Sequence, residues 1–236
     1  MESLEAELER ARDLDVADLA DAIETIGFEC TRCGACCKSA EPCSADSRAA
    51  EPRDSEADDP HTATVFPDEV RDLQAATDYD WRDVARPMPY GLDDASDESQ
   101  PTGETFEWAL QTDACGDCVF YEEDDEGTGA CSVHGDRPLI CRTYPFSVAL
   151  GGTSQPMGEA VDEEGMVRAH ECEGLGRDIS REEAEDLAAA LKERAIRELT
   201  EAIAVRDEYA PAEPDEGVVV HDSEGAKRPD GTPYEG

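Results

Sequence analysis

The stretch CTRCGACC, residues 30–37, places four cysteines within eight positions, and the last two are adjacent. Thiols spaced this closely can oxidise to one another, attack a substrate or bind a metal ion. Cys30, Cys33 and Cys36 are separated by two residues each, and this spacing lets successive thiolates converge on one ion. Gly34 permits the tight backbone that such a loop requires. The stretch therefore predicts a metal-binding loop.

Cys37 is a separate case because it directly follows Cys36. Side chains of adjacent residues point away from each other in most backbone conformations. We therefore expect Cys37 to serve a second centre, or a structural contact, while Cys30, Cys33 and Cys36 share the first.

The composition is strongly acidic, with 60 Asp and Glu against 20 Lys and Arg, a formal charge of -40. Only three of the basic residues are lysines. We interpret this surface as halophilic, because molar salt shortens the Debye length to about 3 Å and screens the repulsion. An acidic, partly disordered chain is the alternative. Binding of nucleic acid requires a basic patch, so we expect no nucleic-acid partner.

We predict the cellular location from the absence of recognisable export and membrane signals in the sequence. The first ten residues, MESLEAELER, are acidic rather than basic and then apolar, so we expect no secretory signal. No apolar run approaches the ~20 residues that cross a bilayer, so we expect no membrane partner. These features predict a cytoplasmic protein, in which ten cysteines favour metal binding over disulfides.

A second cluster of cysteines lies in CGDCVFYEEDDEGTGACSVHGDRPLICRTYPF, residues 115–146, and Cys172 follows in HECEGLG. The two motifs, CxxCxxCC and then C-x-V-H-G-D-R-P-L-I-C-R-T-Y-P-F from Cys131 onward, resemble the YkgJ-type CxxCxxCC cysteine-cluster family of zinc- or iron-chelating domains. The resemblance covers roughly residues 28–176. The chain departs from the family pattern at Val133 and His134, where the family prefers Ile and Tyr.

The resemblance implies a set of metal ligands. Eight cysteines lie at positions that match the family, namely Cys30, Cys33, Cys36, Cys37, Cys118, Cys131, Cys141 and Cys172. Eight thiolates divide into two four-cysteine centres, although one centre with spare thiols is also compatible with the pattern. Cys43, Cys115, His134 and His170 are further candidates whose role the sequence leaves open.

Arg137 and Arg142 lie inside the second motif of a chain that has few basic residues. A metal centre with four thiolates carries a net charge of about -2. We therefore predict that both arginines neutralise the thiolates or bind an anionic ligand, that is, that they are cofactor-binding residues. An ion pair with a nearby acidic residue is the structural alternative.

The hydrophobic pattern predicts an α+β fold, with a small cysteine-rich, metal-nucleated core of short strands and loops between N- and C-terminal helices. Apolar spacing predicts helices over 3–26, 66–77 and 180–206, and strands over 105–111 and 118–123. The predicted segments are an N-terminal helical segment (1–27), a cysteine-cluster metal-binding domain (28–178) with acidic insertions near 39–60 and 93–104, a C-terminal helix packed on the core (179–209) and a flexible tail (210–236).

Three functions are compatible with these features. The first is a metal-binding protein that holds zinc or an iron–sulfur cluster, with an unidentified protein or small-molecule partner. The second is a metal-dependent modification enzyme, because the motif is similar to one in flagellin lysine methylases. The third is a thiol-redox module that uses Cys36 with Cys37, or Cys115 with Cys118. The sequence identifies no catalytic residue.

Overall fold

The computed structural model describes residues 3–39, 60–93, 101–150, 160–162, 165–212 and 217–235. The fold is α+β, as predicted, with helices at the N-terminal and C-terminal sides of several small sheets. Cys43, most of the predicted insertion at 39–60 and the centre of the insertion at 93–104 lie outside the described residues.

The secondary structure consists of short elements apart from one long helix. The helices are α1 (Leu4–Asp13), α2 (Val16–Ile26), α3 (Pro67–Ala76), α4 (Trp81–Val84), α5 (Leu139–Thr143) and α6 (Arg181–Glu208). The strands are β1 (Thr64–Val65), β2 (Ala85–Pro87), β3 (Leu92–Asp93), β4 (Thr102–Phe106), β5 (Trp108–Leu110), β6 (Tyr121–Glu123), β7 (Gly129–Cys131), β8 (Phe146–Val148), β9 (Ala160–Asp162), β10 (Val167–His170), β11 (Val218–Asp222) and β12 (Gly225–Lys227).

The helices begin at the capping residues that the sequence supplies. Asp15 accepts a hydrogen bond from the Ala17 amide at the start of α2, so residues 3–26 form two short helices, one of the two arrangements that their apolar spacing predicts, the other being one broken helix. Pro67 is the first residue of α3. Ser180 and Glu183 form the expected capping box of α6, with each side chain accepting from the other's amide, at 3.3 and 3.1 Å.

The first compact unit comprises residues 1–33 and 139–203. Its apolar core takes side chains from α1, α2, β8, β10 and α6, including the predicted helix stripe at Leu191, Ala195 and Leu199. Strands β8, β10 and β9 form its antiparallel sheet, in that order. The N-terminal helices and the C-terminal helix therefore belong to the same unit, although most of the chain lies between them in sequence.

The second compact unit comprises residues 34–138 and 204–236. It contains three sheets, with strand orders β1-β5-β2, β12-β11-β4-β3 and β6-β7. Trp108, Leu110 and Phe120 are among its buried side chains. The boundaries between the two units fall at residues 33–34, 138–139 and 203–204, and the first two lie inside the predicted domain 28–178.

The segment 105–111 is not one strand, as the sequence predicts, but parts of two. Glu107 has φ 70°, and this left-handed conformation interrupts the extended backbone. As a result β4 ends at Phe106 and β5 begins at Trp108, and the two strands join different sheets. Strand β4 begins at Thr102, inside the predicted insertion 93–104, and the predicted strand 118–123 is confirmed only from Tyr121 onward.

The prediction of a flexible tail over 210–236 is wrong for the described residues. Strand β11 pairs in parallel with β4 and antiparallel with β12. Asp222 is buried and accepts a hydrogen bond from the Trp108 indole N–H at 2.8 Å. It also forms an ion pair with Lys227 at 2.8 Å. Proline, glycine and acidic residues predicted a loose tail, but the short apolar run Val218–Val220 between them forms a sheet.

None of the helices in the described ranges is both long enough and apolar enough to cross a membrane.

Candidate metal centre

The adjacent thiols of Cys36 and Cys37 lie close together, with their sulfur atoms 3.8 Å apart. This corrects the expectation that the two side chains point away from each other. The physical reason is that residues Ala35–Cys37 form a turn of 3₁₀ helix, closed by a hydrogen bond of 2.8 Å from the Cys37 amide to the Gly34 carbonyl. The two thiols can therefore serve one centre.

Two residues in left-handed conformation shape the cysteine loop, Arg32 at φ 59° and Gly34 at φ 76°. Gly34 packs against the ring of Tyr121: a Cβ atom at residue 34 would lie 2.6 Å from Tyr121 Cε2. Both the Tyr121 hydroxyl and the Lys38 ammonium group bond to Glu123, and Lys38 lies 5.1 Å from the centre of the Tyr121 ring. The sequence indicates a tight backbone at Gly34, but it does not indicate the contacts among Tyr121, Glu123 and Lys38.

Among the residues that the structure describes, four free cysteines belong to the second unit, Cys36, Cys37, Cys118 and Cys131. The Cys118 amide donates to the Cys37 carbonyl at 2.8 Å, which joins the cysteine loop to the second motif. Cys131 lies on β7 opposite Tyr121 of β6. The backbone hydrogen bond thus links Cys37 with Cys118, and the strand pairing places Cys131 beside Tyr121.

The electrostatics of these thiols show that they are neighbours. The hydrogen bond with the Cys37 thiol lowers the pKa of Cys36 to about 7 against the effect of burial, with smaller contributions from the Cys36 backbone and the Arg137 charge. Burial first, and then the charges of Cys131 and Cys36, raise the pKa of Cys118 to about 11. Burial also raises the pKa of Cys131, while Arg137 lowers it. A cation would reverse this repulsion, because thiolates bind metal ions in the deprotonated form.

Arg137 lies close enough to the thiols of Cys36 and Cys131 for its charge to act on both. Its guanidinium donates to the His134 carbonyl at 3.1 Å, and its charge acts on two of the thiols. Arg142 is exposed on α5, one residue after Cys141, in the other unit.

The other four free cysteines, Cys30, Cys33, Cys141 and Cys172, belong to the first unit. The residues before Cys30 pair with the residues after Cys172 through an antiparallel bridge between Phe28 and Leu175. In this bridge Glu29 N–H donates to the Gly174 carbonyl at 3.0 Å. The Gly174 amide also donates to the Cys172 sulfur at 3.4 Å. The Tyr144 hydroxyl, three residues after Cys141, donates to the Glu171 carbonyl.

The remaining candidate ligands have other surroundings. Cys115 is disulfide-bonded and has no free thiol, so a dithiol pair of Cys115 with Cys118 is not present. His170 is buried, and its Nε2 lies 2.8 Å from the Ser147 hydroxyl. His134 is exposed in a 3₁₀ turn (His134–Asp136).

The described residues contain no ready-made metal site, in the sense of three or more His, Cys, Asp or Glu side chains arranged around one point. The structure therefore divides the candidate ligands between the two units and gives charge interactions among some of the thiols. It does not give a coordination geometry.

Comparison with known proteins identifies the family. Residues 29–173 match the model described as "CxxCxxCC: Putative zinc- or iron-chelating domain", which is more than half of the chain. The chain belongs to this family. No curated protein and no solved structure matches it. The CxxCxxCC description agrees with the thiol-rich donor set and leaves open which metal is bound.

Proposed function

We propose that this protein binds zinc or iron through cysteine thiolates, in two four-thiolate centres, one in each compact unit. The observation that carries the proposal is the division of the eight free cysteines among the described residues into four in each unit. Soft thiolate donors select zinc or iron–sulfur clusters over magnesium or calcium. Four thiolates complete a tetrahedral zinc site, and they also hold a four-iron cluster.

In the second unit the proposed ligands are Cys36, Cys37, Cys118 and Cys131. The 3.8 Å separation of the first two sulfurs and the charge interactions among Cys36, Cys118 and Cys131 support this set. Arg137 would offset part of the net charge of about -2 that four thiolates and a divalent ion carry. This assignment moves Cys36 from the centre that sequence spacing gives it to the one that contains Cys37.

In the first unit the proposed ligands are Cys30, Cys33, Cys141 and Cys172. The hydrogen bond from the Gly174 amide to the Cys172 sulfur supports this set, because such bonds stabilise thiolates in metal centres. Arg142, next to Cys141, would have the role at this centre that Arg137 has at the other.

The same four thiolates can bind either a zinc ion or an iron–sulfur cluster. Both require that the eight proposed ligand thiols are reduced, so we propose the cytoplasm as the working compartment, with the disulfide of Cys115 as an exception. The proposal assigns no catalytic residue.

The test is elemental analysis of protein purified without oxygen. The protein should contain zinc, or iron with acid-labile sulfide and visible charge-transfer absorbance. The eight free thiols should resist alkylation while the metal is bound and react after chelation. Metal-free protein with eight reactive thiols, after incubation with either metal, would contradict the proposal.

A further inference from the structure

Arg194, on α6, is a buried charged residue that lies among apolar core side chains of the first unit. Its side chain is 1% exposed, and the surrounding buried residues include Leu191, Ala195 and Phe146. A buried charge is costly unless it is paired and hydrogen-bonded. Arg194 also lies outside residues 29–173, the part of the chain that matches the family.

The guanidinium group of Arg194 bonds to three groups in the first unit. One nitrogen, Nη1, donates to the Thr143 hydroxyl at 3.0 Å and to the Phe146 carbonyl at 3.3 Å. The Nε atom pairs with Glu198 on the next turn of α6 at 2.7 Å. Thr143 in turn donates to the Leu139 carbonyl at 2.7 Å. Arg194 thus holds the end of α5 and the start of β8, and Thr143 connects it to the start of α5.

Helix α5 depends on such contacts for its conformation. It has five residues, and an isolated helix this short is unstable in water because nucleation is unfavourable. Its third residue is Cys141, and Tyr144, directly after it, donates to the carbonyl next to Cys172. The same short segment therefore places two of the four proposed ligands of the first unit.

We infer that Arg194 is a positioning residue for the metal centre of the first unit, and that it acts through Thr143 and α5 on Cys141. This inference rests on the proposed function. Residues that orient metal ligands typically change metal affinity 10- to 100-fold when they are removed. The C-terminal helix would then contribute to metal retention although it supplies no ligand.

The experiment compares full-length variants loaded with Zn²⁺, in competition with a chromogenic chelator. Thr143→Val keeps the shape of the side chain and removes the acceptor of Arg194, whereas Thr143→Ser keeps the hydroxyl. Arg194→Met removes the charge. Arg181→Gln is the matched control on the same helix, because Arg181 is an exposed residue that pairs with Asp21, Glu24 and Glu185.

In Thr143→Val and in Arg194→Met, half of the bound zinc should have an affinity about 10- to 100-fold lower than in wild type. The affinity of the other half should be unchanged. Thr143→Ser and Arg181→Gln should behave as wild type. Wild-type retention of all zinc in Thr143→Val would overturn the inference and leave the proposed function intact. Equal loss of both halves would also overturn it, since that result indicates general unfolding. If wild-type protein binds no zinc and no iron, the proposed function fails and this inference fails with it.

Discussion

Replacement of Gly34 by alanine should weaken metal binding in the second unit. The added Cβ would lie 2.5 Å from Cζ of Tyr121, and φ of 76° places residue 34 in the left-handed region. The backbone strain costs about 1–2 kcal/mol for a residue with a Cβ. Displacement of Tyr121 from Lys38 and Glu123 costs about 1 kcal/mol more, since these contacts are largely exposed. The sum, about 2–3 kcal/mol, corresponds to a roughly 30- to 150-fold loss of affinity.

Competition with a chelator measures this loss directly. Gly135→Ala is the matched control, because a Cβ at residue 135 meets no atom within 4 Å. In a Tyr121→Ala background only the backbone strain remains, so Gly34→Ala should then cost about 10-fold. Equal affinity in Gly34→Ala and Gly135→Ala, or an unchanged effect in the Tyr121→Ala background, would refute this reasoning.

Three further predictions test the fold. Burial lowers the pKa of His61 from 6.5 to about 4, so the folded state loses stability as the pH falls from about 6.5 to about 4. The variant His61→Gln should reduce the slope of unfolding free energy against pH by about 1 kcal/mol per pH unit, measured by urea titration. An unchanged slope would contradict this prediction. Asp222→Ala leaves the buried Trp108 N–H without its acceptor and leaves Lys227 with only the exposed Glu224 as partner, so it should lower the free energy of unfolding by about 3 kcal/mol, measured by tryptophan fluorescence. Replacement of the exposed Asp125 by alanine should cost little, and equal costs would argue against an ordered sheet at β11 and β12. Small-angle scattering should show expansion when KCl is lowered from molar to millimolar, and a constant radius would show that the acidic surface is not an adaptation to salt.

Apolar spacing predicts α1 and α2, and together with Pro67 or the pair Ser180 and Glu183 it predicts α3 and α6, because these signals are local. The division into two units could not be predicted, because it depends on contacts between distant segments, such as the core that α1 and α2 share with α6. Strand β11 was missed for a related reason. Three consecutive valines, Val218–Val220, are too short a signal by themselves, and their pairing with β4 involves residues more than 100 positions away.

The candidate ligands were predicted from cysteine spacing and from resemblance, but their division was not. Spacing placed Cys36 with Cys30 and Cys33, since C-x2-C-x2-C favours one centre. The 3₁₀ turn at Ala35–Cys37 brings Cys36 towards Cys37 instead, and no sequence motif indicates such a turn. Arg194 was missed because its contacts with Thr143 and Phe146 join segments about 50 residues apart.

The most direct test of two centres, one in each unit, is the metal content of paired cysteine variants. Cys36→Ser with Cys131→Ser removes two proposed ligands of the same centre, so this double variant should keep about half of the wild-type metal. Cys33→Ser with Cys36→Ser removes one ligand from each centre and should lose nearly all of it. If the Cys33/Cys36 pair instead keeps half of the metal, the two residues share a centre and the division by unit is contradicted.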